Sequence, residues 1–315
     1  MPPAALFNRR LHTTLRRLAI RTYEACVPQR IRVGFHNRWF TRHSARWEKI
    51  RNTPDSVVSS VAPGVRMNLY GDSRLCEMLY FGGFETETRG FFEEFLRPGD
   101  TFLDVGANIG LYALVAAHIV GPRGHVHAFE PCSKTFERLT ENVKLNRLRN
   151  VTCHRVALSH ENAQAQLTLA NGGFDAWNSL GTPYMGETTG SETVTTMTFD
   201  RFAREHGLAS LNCAVKIDVE GWENQVLLGA QEFLSRSDAP LLLVEFTEEA
   251  AKLAGTSCST LYRTLERLGY GLYTVSDRAE EVQPFPLCED FPNVNLIASK
   301  DIAAVRARLS GKSAR

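Results

Sequence analysis

From Thr101 onward, short apolar β-rich runs alternate with stretches of helical length, and no other property of the 315-residue chain narrows its fold so far. TFLDV (101–105) precedes LYALVAAHIV (111–120), HVHAF (125–129) precedes SKTFERLTENVKLN (133–146), and VTCHRVAL (151–158) follows. Strands and helices in strict alternation predict a parallel sheet with helices on both faces. AQLTL (165–169) and TVTTMTF (193–199) read as two further strands, separated by a Gly/Thr/Ser-rich loop or flap from Asn171 to Glu192. AVKIDV (214–219) resumes the sheet. WENQVLLGAQEFL (222–234) reads as one helix, LLLVEF (241–246) as a buried strand and CSTLYRTLERLG (258–269) as a helix. GLYTV (271–275) and VNLIAS (294–299) close the chain's order as two strands joined by the Pro-rich VQPFPLCEDFPN (282–293). The expected fold class is α/β: a doubly wound, Rossmann-like sheet of seven core strands, mostly parallel, ending in a late hairpin.

In such a sheet, ligands sit beyond the carboxyl ends of the strands, and the first strand-to-helix turn is the usual contact. That turn is TFLDVGANIGLY (101–112), so Gly106 and Gly110 are expected to line a cofactor site. A P-loop is excluded because no Gly-Lys-Ser/Thr follows. The dinucleotide fingerprint fails as well, since Asn108 holds its second glycine position and Leu111 its third. Asp104, just before the turn, would repel a pyrophosphate resting on the helix N-terminus and attract an ammonium or sulfonium. S-adenosylmethionine carries both cations. Glu130, at the end of the second strand, is placed to accept hydrogen bonds from ribose hydroxyls. A bland reading stays open beside this one, in which Asp104 caps the following helix. A dinucleotide-dependent oxidoreductase and a non-catalytic cofactor-binding sheet stay open as alternatives too.

A strand covered on both faces should be nearly all apolar, yet VKIDVEG (215–221) sets Lys216, Asp218 and Glu220 on one face by the two-residue period. Burying these charges is costly unless they pair or do chemistry. One reading is a Lys216–Asp218 ion pair with Glu220 at the next helix's N-terminus. The other puts Asp218 and Glu220 at the substrate, where a carboxylate takes the proton of an attacking hydroxyl, with Asp218 the candidate base and Glu220 the second. Lys216 is a candidate substrate contact. A metal bridged by these carboxylates lacks a clear third ligand, so none is expected. The histidines have no ligand spacing. In the flap, Trp177, Asn178, Ser179 and Tyr184 join aromatic, amide and hydroxyl groups in a pattern that suits a sugar or polyol, and Glu85 in YFGGFETE lines the cofactor mouth or marks a turn.

Through GDTFLDVGANIGLY, VHAFEP, RLTENVKLN and VKIDVEGWENQVLLGA, the segment from Asn68 to Ser299 resembles the FkbM family of class I S-adenosylmethionine-dependent methyltransferases. The resemblance implies a seven-stranded sheet whose last strand is antiparallel, with Asp104, Gly106, Asn108 and Gly110 holding the methionine end of the cofactor and Glu130 its ribose. It also implies O-methylation of a hydroxyl on a sugar, glycan or other small metabolite. The chain departs from the family at Cys132, where Asn is frequent, and at Trp222, where His or a small residue is frequent. Nucleic-acid amino methylation usually brings a Pro-Pro-aromatic run after the fourth strand, and DVEGW has none. Lysines and arginines number 36 against 35 acids, so no global field steers the chain to nucleic acid. No nucleic-acid partner is expected.

The charge is uneven, because residues 1–50 carry 11 Lys/Arg against Glu24 and Glu48. Residues 1–67 are therefore expected to form a basic, mainly helical extension, 68–300 the methyltransferase domain and 301–315 a tail. Within the extension, residues 6–23 put Leu11, Leu15 and Leu18 on one helical stripe among arginines. Three roles compete for it: a helix capping the domain, a peripheral membrane contact and an organelle-targeting segment. Seven scattered cysteines without a C-x-x-C pair suggest neither zinc nor a disulfide framework, so a cytoplasmic, reducing location is the default.

Overall fold

The computed structural model describes residues 44–82, 84–208 and 213–311, and the leucine stripe of residues 6–23 lies outside them. Residues 44–50 are helical, and the compact unit that carries the sheet begins at Asn52. It opens with an antiparallel hairpin, β1 (Ser56–Ala62) and β2 (Val65–Tyr70). Thus β1 and the first residues of β2, assigned by sequence to the basic extension, fold as part of this unit. Two helices, α1 (Arg74–Phe81) and α2 (Thr86–Phe95), lead into the alternating core.

The core runs β3 (Thr101–Val105), α3 (Leu111–Val120), β4 (His125–Phe129), α4 (Ser133–Leu145) and β5 (Val151–His154). A short β6 (Ala157–Leu158) then joins β7 (Gln164–Ala170) and β8 (Thr188–Met197) in a separate three-stranded sheet. VTCHRVAL is therefore two strands and not one, because its first half pairs with β4 and its second half with β8. After α5 (Phe199–Glu205) come β9 (Cys213–Ile217), α6 (Glu223–Leu228), α7 (Gln231–Ser235), β10 (Leu241–Phe246), α8 (Glu248–Leu253), α9 (Cys258–Arg267), β11 (Gly271–Thr274) and β12 (Val294–Ser299). The expected tail includes a helix, α10 (Ile302–Leu309), whose Arg308 guanidinium pairs with Asp100.

The main sheet has seven strands in the order β11-β12-β10-β9-β3-β4-β5. β12 runs antiparallel to both its neighbours and the other pairings are parallel, as expected. α3 is apolar on nearly every side because it packs on β3 and β4 and also meets β2 and α2. The expected helix over 222–234 breaks in two at Gly229 and Ala230. A side chain at Gly229 would begin 1.9 Å from the Ser159 carbonyl, so the chain bends where two backbones meet.

Four histidines cluster at β4 and β5: His127 Nδ1 lies 3.1 Å from His154 Nε2 on the neighbouring strand, and the rings of His125 and His206 pack against His127. Burial, then the neighbouring rings, pulls His127 down to about 3 and His154 to about 4. Both values lie below the unfolded one, so the unfolded chain binds the protons first. Their stabilisation is complete above about pH 6.5 and is lost as pH falls toward 4. Over that window the two rings are expected to subtract stability, by up to about 1.4 kcal/mol per pH unit for each ring, less where solvent screens His154, against the opposite contribution of the raised carboxyl groups of Asp104 and Glu130. A His127→Gln/His154→Gln variant should lose less stability, or gain more, than the unaltered chain as pH falls over the same range; an equal slope in the two would remove the histidines as contributors.

Candidate active site

The glycine turn is held by its neighbours before any ligand is considered. Gly106 (φ +85°), Asn108 (φ +49°) and Gly110 (φ +98°) all adopt left-handed backbone, which glycine and asparagine tolerate best. A Cβ on Gly106 would stand 1.8 Å from the Asp218 carbonyl oxygen. Asn142, fully buried on α4, donates to the Ile109 carbonyl at 3.0 Å and accepts from Asn68 N–H at 2.7 Å, tying the turn to β2. RLTENVKLN contains this asparagine, but the sequence reading gave it no role.

Glu130 closes the turn from the β4 side. One carboxylate oxygen accepts from Asn108 N–H at 3.0 Å and the other from Cys132 N–H at 2.9 Å. Burial raises its pKa to about 8 against the pull of those two donors. Each oxygen keeps a second lone pair, the acceptor a ribose hydroxyl would use. Asp104 is buried behind the turn: Oδ2 accepts from Ala113 N–H at 2.8 Å, as a cap of α3 would, while Oδ1 is buried without a partner. Burial lifts its pKa to about 6, and Lys216 opposes the rise.

Beyond the turn lies a cleft that is partly open to solvent. Gly106, Asn108, Glu130, Asn178, Lys216, Asp218 and Glu220 line it; Asp104, Gly110, Trp177 and Ser179 are not part of its lining. Its charged lining is Glu85, Glu130, Asp175, Asp218 and Glu220 against Lys216, which suits a net cation better than a pyrophosphate.

β9 ends at Ile217, so the two-residue period stops short of Glu220. Asp218 N–H still bonds the Val105 carbonyl at 3.0 Å, and Glu220 turns back with φ +55°. Lys216, 2% exposed, forms an ion pair with Asp218 and lies 4.6 Å from the Tyr112 ring centre. Burial pulls its pKa down, but Asp218, Glu85 and Asp104 outweigh burial and raise it. The Tyr112 hydroxyl bonds Glu85, which also accepts from Asn295 at 3.0 Å. Burial and then Asp218 push Glu220 well above the carboxylate range, and Glu245 follows it for the same causes. Oxygens of Asp218, Glu220 and Glu245 lie within 4.8 Å of one another. The sequence reading missed Glu245, although a carboxylate inside the apolar run LLLVEF was its signal. It also missed Glu223, which holds the loop by accepting from Val219 N–H at 2.8 Å and Gly221 N–H at 3.3 Å.

The flap is tied down by the groups expected to recognise substrate. Ser179 Oγ donates to the Glu220 carbonyl at 2.8 Å, and Trp177 Nε1 donates to the Tyr184 hydroxyl at 2.9 Å. Asn178 Oδ1 accepts from Ala170 N–H at 2.9 Å while its residue lines the cleft. Trp222, on the same wall, donates its indole N–H to Ser159 Oγ at 3.0 Å.

The methyltransferase FkbM domain matches residues 104–272. The chain belongs to the FkbM methyltransferase family. It is 33% identical over 162 residues to the 31-O-demethyl-FK506 methyltransferase FkbM of Streptomyces tacrolimicus, covering 44% of this chain and 62% of that protein. Against the hexuronic acid methyltransferase AglP of Haloferax volcanii it is 33% identical over 134 residues, 41% of this chain and 49% of the relative. The solved structure of a methyltransferase FkbM from Methylobacillus flagellatus aligns with a TM-score of 0.40 at 14% identity, covering 71% of this chain and 54% of that one. The cofactor of this FkbM-family chain is S-adenosylmethionine. The site fits it: the lining is net acidic, the turn exposes backbone at Gly106 and Asn108, and Glu130 keeps free lone pairs beside them. Among the described residues, no helix is long and apolar enough to cross a membrane.

Proposed function

We propose that the chain transfers the methyl group of S-adenosylmethionine to a hydroxyl oxygen of a sugar, glycan or other small metabolite, with Asp218 as the base and Glu220 as the second carboxylate. The observation that carries this reading is Asp218 itself, an acidic residue that lines the cleft and whose backbone carbonyl lies against the glycine turn. When bound, the cofactor supplies an electrophilic methyl on a positively charged sulfur. The turn and Glu130 hold the donor while the opposite wall presents the acceptor in line, an arrangement worth up to about 7–11 kcal/mol. As the acceptor oxygen bonds the methyl carbon, its proton passes to Asp218 and the C–S electron pair stays on sulfur. Lys216, paired with that carboxylate, keeps it in position. Asn178 and Trp222 contact the acceptor, whereas Trp177 and Ser179 shape the flap behind them. The acid-rich lining disfavours nucleic acid as the acceptor. The six described cysteines are all unpaired, which suits a reducing compartment such as the cytoplasm.

Calorimetry with S-adenosylhomocysteine and NAD in parallel, followed by transfer of a labelled methyl to a panel of neutral sugars, glycans and small alcohols, tests the reading. Binding of S-adenosylhomocysteine alone, with label on an oxygen, is expected. Binding of NAD instead, or label confined to nitrogen, would overturn it.

A further inference from the structure

We propose that Asp218, Glu220 and Glu245 form a divalent-cation site at the acceptor end of the cleft. The carboxyl ends of two neighbouring strands, β9 and β10, meet there. Ile217 and Val244 are Cα partners in the parallel β9–β10 pair, so Glu245 stands beside Asp218 one step beyond, and Glu220 turns back toward both. One carboxylate oxygen from each residue falls within 4.8 Å of the others. Oxygens bound at about 2.4 Å to one ion are separated by about 3.4 Å when adjacent and about 4.8 Å when opposite, so this cluster is of a size to close on a calcium- or manganese-sized ion.

An acidic cluster can persist without an ion when its oxygens are solvated or hydrogen-bonded. Here Oε2 of Glu220 and Oε2 of Glu245 are shut off from solvent and have no hydrogen-bond partner. Native proteins keep few such atoms, because each forfeits its hydration without return. Lys216, the one basic residue among the described residues lining the cleft, is already engaged by Asp218 and the Tyr112 ring. Among the described residues, no basic side chain lining the cleft is therefore left for Glu220 and Glu245, and a hard cation that takes oxygen ligands would meet both buried oxygens. Three protein oxygens would leave the remaining positions to water and to acceptor hydroxyls. The inference rests on the proposed function: a hydroxyl on the cation gives up its proton more readily, and that proton still passes to Asp218. A second coordinated hydroxyl would select acceptors with neighbouring hydroxyl groups.

The test uses Mn²⁺ on the full chain with S-adenosylhomocysteine present and no acceptor, read by calorimetry and by the paramagnetic signal of free Mn²⁺. One site with a Kd below about 1 mM, the weak end of protein calcium sites, is expected. Glu245→Gln, which lies outside the cleft lining, should weaken Mn²⁺ more than tenfold and leave S-adenosylhomocysteine binding within a few-fold. That retained binding reports that the variant is folded, and Glu220→Gln serves as the second variant. Absence of saturable Mn²⁺ binding would overturn the site, as would unchanged Mn²⁺ affinity in both variants. Failure of S-adenosylhomocysteine to bind the unaltered chain would instead strike the proposed function, so the two failures are distinguishable.

Discussion

Asp218→Asn is expected to lower turnover of the acceptor by about 10²–10⁴-fold, the range for removing a general base, while S-adenosylhomocysteine affinity stays within a few-fold. The substitution keeps the shape of the side chain and removes its basicity. It also strips Lys216 of its ion-pair partner, and breaking a buried pair costs about 3–5 kcal/mol when nothing replaces the lost charge. Asp104 and Glu85 still face Lys216 here, so the stability loss should fall at or below the low end of that range. Adding Lys216→Met should restore much of the melting temperature and none of the turnover. If the double variant regained both, Asp218 would be a structural partner and the base would have to be sought elsewhere.

The order of the first elements was legible because β3 and β4 are short apolar runs and α3 and α4, of 10 and 13 residues, are long enough to be told from them. The glycine turn was legible for a related reason: Gly106, Asn108 and Gly110 sit where the backbone is left-handed, a demand that shows in residue type. What escaped notice depends on contacts between segments far apart in sequence. Glu245 meets Asp218 across neighbouring strands, and nothing local to LLLVEF says what stands beside it. Gly229 looks like an ordinary helix interior until the Ser159 carbonyl is placed against it. Ser179 and Trp177 carry the groups that suit a polyol, yet the Glu220 carbonyl and the Tyr184 hydroxyl already occupy them. A polar side chain in a loop advertises hydrogen bonding without naming its partner. The Lys216–Asp218 pair, by contrast, could be anticipated, because two opposite charges on one covered strand have few other partners.

Gly106→Ala is expected to be the most damaging single-methyl change in the site, for a reason that involves a neighbouring strand more than the cofactor. Its φ of +85° costs an L-residue about 1–2 kcal/mol, and the new Cβ would meet the Asp218 carbonyl oxygen at 1.8 Å. Backbone on both sides of that contact cannot swing aside, so either the turn lifts away or Asp218 is displaced, and both line the cleft. A loss of at least about 3 kcal/mol follows, the upper end of local strain, which for a domain of this size corresponds to roughly 6–12 °C in melting temperature. S-adenosylhomocysteine affinity should fall by more than about 100-fold, equivalent to about 2.7 kcal/mol. Gly110→Ala provides the control within the same turn. Its φ of +98° brings similar strain, but its Cβ would meet Leu139 Cδ1 at 2.6 Å, the end of a side chain that can rotate. Gly110→Ala should therefore cost about 1–2 kcal/mol and retain binding within about tenfold, or 1.4 kcal/mol. Equal damage from the two substitutions would mean that left-handed strain, and not the Asp218 contact, sets the glycine requirement. A Gly106→Ala protein that melts low yet binds S-adenosylhomocysteine normally would remove the turn from the cofactor site altogether.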